Sequence, residues 1–92
     1  MKNKVTVEDI DATFQASTFE DVKLGAKSTV VCCTMPNGFE IIESSSCVDP
    51  ANYDHQKGVD ICHRRIKDRM WLLLGFLMQH QLWINRAEVE PK

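Results

Sequence analysis

With 92 residues the chain makes one small domain, 1–92, with a marginal core. A net charge of −2 supplies no basic footprint for duplex nucleic acid, and the apolar and charged contents are those of an ordinary globular protein. The polar start has no apolar h-region, and no run approaches the ~20 apolar residues of a membrane span, so a cytoplasmic, non-membrane protein is expected.

The first predicted element is a short helix over 7–16. Thr6 stands as its N-cap, with Glu8 and Asp9 in a first turn that favours negative charge. A capping box wants Glu or Gln where Asp9 sits, so the shorter carboxylate predicts an imperfect box. Val7, Ile10 and Phe14 form the apolar face. Residues 17–28 show no clear period and are expected to be a connector. Residues 29–42 (TVVCCTMPNGFEII) read as a hairpin, because two β-rich runs flank Pro36, Asn37 and Gly38. The first of these runs is apolar on both faces, and a lone hairpin leaves two open edges. A third strand or a neighbouring subunit is therefore expected beside it. Residues 43–46 read as a polar run leaving the hairpin.

Asp49 before Pro50, then Asp54, mark the start of the dominant element: a short helical turn over 50–53, then a long helix over 54–81. Val59, Cys62, Ile66, Met70, Leu73 and Leu77 recur at steps of three or four and form one stripe. From 70 to 78 (MWLLLGFLM) the helix is apolar nearly all round, so Trp71, Leu72, Leu74 and Phe76 point away from the stripe. Such a helix, roughly 42 Å long, overhangs a compact domain of about 30 Å. A homo-oligomer built on this helix is expected, the alternative being that the N-terminal segment covers the second face. The tail over 84–92 is mostly polar and is expected to fray.

No nucleophile elbow, P-loop, dinucleotide fingerprint or HExxH is present, and a non-enzyme without cofactor is expected. Cys32, Cys33, Cys47 and Cys62 match no zinc or redox spacing and read as small buried hydrophobes; a metal set of Cys47, His55, Cys62 and His63 is the weaker alternative. His55, His63 and His80 read as surface histidines. The informative groups are Arg65 and Arg69, four apart on one helix side, where like charges repel by a few tenths of a kcal/mol. One reading is solvent exposure or pairing with Glu40, Glu43 or Asp49. The other is a guanidinium pair gripping an anion, with Phe39, Tyr53 or Trp71 offering a flat face and Asn52 an amide. Asp60 and Asp68 interleave with the basic residues and argue against a single-stranded nucleic-acid site.

Three stretches carry a resemblance: NGFE at 37–40, VDPANYD at 48–54, and Trp71, Leu73, Gly75, Phe76 and Leu77 in a W-x-L-x-G-[YF]-L pattern. Over 29–78 the chain resembles a family of small proteins of tailed phages and prophages. That implies a phage origin, a bacterial host and a small α+β fold, with no assigned reaction. More distantly the chain resembles the phage anti-Thoeris sponges, oligomers that sequester cyclic ADP-ribose-type messengers. That resemblance implies Phe39, Asn52, Arg69 and the neighbouring Arg65 as ligand contacts.

The expectation is thus an α+β protein: short N-terminal helix, β-hairpin and one long C-terminal helix. Its partners are expected to be further copies of itself through that helix, and either a small anionic nucleotide or a host protein docked on the apolar helix end.

Overall fold

The computed structural model describes residues 3–89, without the side chains of 87–89. The elements in order are α1 (Val7–Ala16), β1 (Thr18–Leu24), β2 (Ser28–Thr34), β3 (Glu40–Ser46), a 3-10 turn (Pro50–Asn52) and α2 (His55–Val89). The strands form one antiparallel sheet in the order β1-β2-β3, and α2 lies across one face of it. This is the α+β arrangement of short helix, strands and long helix that the sequence predicts.

The local signals act as expected at most ends. Thr6 caps α1, and the capping box closes despite the short Asp9: its carboxylate accepts from the Thr6 N–H at 2.8 Å while the Thr6 hydroxyl accepts from the Asp9 N–H at 3.2 Å. Asp49 caps the 3-10 turn and Asp54 caps α2 through the Lys57 N–H. The β2–β3 turn closes with Gly38 at φ +91°, a conformation that favours glycine. There the Gly38 N–H donates to the Met35 carbonyl.

Three expectations change. The connector over 17–28 contains β1, the third strand that the hairpin required, with Phe19 opposite Cys33 and Val22 opposite Val30. The polar run over 43–46 is the second half of β3, paired with β2 from Ser28 to Val31. Pairing to an apolar central strand outweighs the poor strand preference of serine. The helix does not end near 81; helical backbone continues through Val89, into the stretch over 84–92 expected to fray. No Gly or Pro interrupts it between Gly75 and Pro91, and Gln, Arg, Ala and Glu are good helix formers. Residues 90–92 lie outside the described part.

One face of β2 (Thr29, Val31, Cys33) and Ile41 of β3 meet Val59, Cys62, Ile66 and Met70 of α2, with Ile10 of α1 closing the end. Gly58 sits against Thr29 so closely that a Cβ there would lie 2.7 Å from the Thr29 Cβ. Glycine at this position lets the helix approach the sheet.

The molecule measures 64 × 22 × 19 Å with a radius of gyration of 17.3 Å, against about 12 Å for a compact chain of this size. The predicted stripe explains the shape. Its first four members are buried, Leu73 is half-buried, and Leu77 is 47% exposed because the helix has run off the sheet. The off-stripe residues Leu72 and Phe76 are 73% and 69% exposed. The N-terminal segment supplies part of the cover: Val5 packs beside the core with Leu74, and residues 3–5 lie along Trp71, Gly75 and Met78, yet Leu72, Phe76 and Trp83 stay bare. No helix among the described residues is long and apolar enough to cross a membrane.

Candidate functional site

The four candidate residues lie along one side of the molecule, the flank of β3. Among the described residues that strand pairs only with β2, which leaves its outer edge open. Lys57, Ile61, Arg65 and Arg69 recur every fourth residue on α2 and form a row above this edge, about 18 Å from first to last. Arg65 donates through Nη1 to the Ser44 carbonyl. Arg69 donates through Nη1 to the Glu43 carboxylate at 3.1 Å. Pairing with Glu43, one of the two readings of the arginine pair, is therefore present. It does not exhaust the guanidinium: Arg69 remains 53% exposed, and an arginine carries five N–H donors.

Asn52 lies at the foot of the same flank, on the 3-10 turn set by Asp49 and Pro50. It lines a cavity of about 170 Å³ between the ends of β2 and β3 and the first turns of α2, together with Lys27, Ser45, Lys57 and Ile61. Ile61 is one turn before Arg65, so the helix wall of the cavity adjoins the arginines along α2. Phe39 stands at the other end of β3, just past the turn, and is 48% exposed. Four residue steps along the chain separate it from Glu43, about 13 Å. One chain thus brings Arg65 and Arg69 together, sets Asn52 at one end of the row and Phe39 beyond the other, and encloses no common pocket around all four.

Two further groups belong to this region, and their place in it was not read from the sequence. Lys57 was readable from its spacing to Arg65. The other is a hydrogen-bonded array on the β1 side. The Tyr53 hydroxyl bonds to Thr29 Oγ1 at 2.8 Å and to His55 Nδ1 at 2.7 Å, while His55 Nε2 meets Asp21 at 2.6 Å. The Lys23 ammonium lies 4.8 Å from the centre of the Tyr53 ring. His55, expected to be a bare surface histidine, instead ties the edge strand β1 to the start of α2. His63 likewise packs against Phe14 and Phe19.

The weaker metal reading loses its geometry, since His55 faces β1, His63 faces α1 and Cys62 is buried under the sheet. Among the described residues no three His, Cys, Asp or Glu side chains gather as metal ligands. Cys33 and Cys62 are fully buried, as small hydrophobes are, while Cys32 and Cys47 are half-buried. Burial pushes the thiols of Cys33 and Cys62 above their ordinary range; at Cys62 the Arg65 charge pulls the other way.

Comparison with curated proteins and with solved structures returns no match. A protein-family model does match: that of the phage protein (N4 Gp49/phage Sf6 gene 66) family, over residues 2–82. That span takes in α1, the whole sheet, the cavity, the arginine row and most of the overhanging helix. The chain belongs to the phage protein (N4 Gp49/phage Sf6 gene 66) family.

Proposed function

We propose that this phage protein is a non-enzymatic binder of a small anionic nucleotide, held along the β3 flank and closed over by a second copy of the chain. The observation that carries this reading is the open edge itself. Along it stand a row of cations, a half-exposed aromatic ring and an amide, none of them in the core. Planar guanidinium groups suit phosphate, and Phe39 offers a face for a base. The resemblance to anti-Thoeris sponges points the same way, to messengers of the cyclic ADP-ribose type and to interference with host immune signalling.

The second copy follows from the bare helix. Six side chains (Trp71, Leu72, Phe76, Leu77, Trp83 and Ile84) are between 39% and 73% exposed. At up to 150–250 Å² for each aromatic, they present on the order of 700 Å² of apolar surface. A monomer's largest apolar patch is ordinarily about 300–600 Å². Two such faces together would bury roughly 1,400 Å², within the range of stable interfaces. A pocket shared between chains also accounts for four residues that one chain leaves strung along an edge.

A second reading keeps the bare helix and changes the partner: a host protein docks on the uncharged end. It is favoured by one feature, that residues 70–85 contain no Asp, Glu, Lys or Arg.

The test is calorimetry with cyclic ADP-ribose isomers and cyclic oligonucleotides. Micromolar or tighter binding is expected for the native chain, with Arg69→Ala weaker by about tenfold or more, the loss of a charge-assisted contact worth ~1.5–3 kcal/mol. Absence of heat at tens of micromolar for the whole panel would exclude the nucleotide reading.

A further inference from the structure

The cavity at the foot of the β3 flank is lined by two ammonium-bearing side chains on different elements. Lys27 comes from the β1–β2 turn and Lys57 from the first turn of α2. Lys27 is anchored, donating to the Val48 carbonyl at 3.1 Å. Lys57 has no partner among the described residues, and neither do the Asn52 amide and the Ser45 hydroxyl that share the cavity with it. Asp54 is the acidic residue in the lining, and one of its carboxylate oxygens is committed to the Lys57 backbone N–H. Two cations and two neutral donors therefore surround a space with one carboxylate at its rim. We infer that this cavity is a phosphate-group site, distinct from the Arg65 and Arg69 pair and built on Lys27, Lys57, Ser45 and Asn52.

Chemistry and size define the ligand class. Lysines bind phosphate as point charges, and a tetrahedral anion has enough oxygens to accept from two ammonium groups, an amide and a hydroxyl at once. At about 170 Å³ the cavity is below the ~300–1,000 Å³ of sites that enclose whole organic ligands. It takes a phosphate, free or as the end of a larger molecule, and leaves the rest of that molecule outside, on the side that leads past Ile61 to Arg65. The close approach of Gly58 to Thr29 holds the helix wall against the sheet wall and keeps the two lysines facing one space.

The experiment is an amide-shift NMR titration with inorganic phosphate at constant ionic strength, chloride making up the balance. Adenosine monophosphate is a second arm. Saturable shifts are expected at the amides of Lys27, Ser45, Asn52 and Gly58, with a Kd on the order of 1 mM. Lys57 is exposed, so Lys57→Gln keeps the fold, and it is expected to weaken binding at least fivefold while Arg64→Gln, at an exposed cation outside the flank, leaves it unchanged. Equal affinity for both anions assigns the site to free phosphate, and tighter binding of the monophosphate assigns it to a phosphate monoester. Shifts that do not saturate, or that Lys57→Gln leaves intact, would overturn the site. Equal loss of binding in Arg64→Gln would overturn the site as well, because it would show only general attraction to positive charge. The result stands or falls apart from the nucleotide reading, which is read on Arg69.

Discussion

Between Gly58 and Met70, α2 buries a residue at nearly every turn: Gly58, Val59, Cys62, Ile66 and Met70. Between Gly75 and Arg86 it buries none, although six of those residues are large and apolar. The two halves are one continuous helix, yet their chemistry is opposite. The first half carries Lys57, Asp60, Arg64, Arg65, Lys67, Asp68 and Arg69 around a narrow apolar stripe, and the sheet covers the stripe. The second half has no charged residue from 70 to 85 and no sheet beneath it. A seven-residue strand spans about 23 Å and a 35-residue helix about 52 Å, so length alone forces the division. The comparison shows that an apolar helix surface reports only that something must cover it; which half the chain itself covers depends on where the sheet stops.

The largest effect should come from breaking the first half. Met70 is fully buried where the stripe leaves the sheet, and Met70→Ala is expected to cost ~2–5 kcal/mol in urea unfolding. Leu72→Ala, two residues on and 73% exposed, should change the stability of the isolated chain little. A smaller and more discriminating pair is glycine to alanine in each half. At Gly58 the added methyl meets the Thr29 side chain, and a loss of ~1–3 kcal/mol is expected despite the better helix preference of alanine. At Gly75 nothing lies within 4 Å of the new Cβ, and alanine should stabilise by ~0.5–1 kcal/mol. Opposite signs at two glycines of one helix would be a sharp confirmation of the division.

The weakest effect is in pH. The buried thiols of Cys33 and Cys62 have folded values raised above the unfolded one, so their contribution is fully present below about pH 8.5. As pH rises beyond that value the unfolded chain releases thiol protons that the folded chain keeps, and stability falls. Unfolding midpoints from pH 8 to 10 should decline, and Cys33→Ala with Cys62→Ala should flatten the decline.

Much of the fold was legible because its signals are local. Thr6, Asp49 and Asp54 cap what they were expected to cap, and Pro36, Asn37 and Gly38 mark the turn. The stripe from Val59 to Met70 reads directly as a buried face. β1 was hidden because TFEDVKL sits at a sheet edge and gives only Phe19 to the core, so it carries three charges and no clean alternation. The second half of β3 was hidden because its serines are strand-forming only beside β2. At the candidate site the spacing of Arg65 and Arg69 was legible, and so was the pairing of one of them with Glu43. The contact of His55 with Asp21 was not, since 34 residues separate them and the strand holding Asp21 was itself unread. That four candidates lie on one flank without enclosing a pocket was also invisible, because it depends on the direction of β3 relative to α2.

Sedimentation velocity of the native chain beside a Phe76→Asp, Trp83→Asp variant tests the central claim most directly. Both residues are more than 60% exposed, so the variant should fold with unchanged circular dichroism and urea midpoint measured at dilution. The division of α2 predicts that the native chain sediments as an oligomer and that the variant sediments as a single chain. A native chain that remains monomeric at tens of micromolar would contradict it, and would remove the second copy on which the shared nucleotide pocket depends.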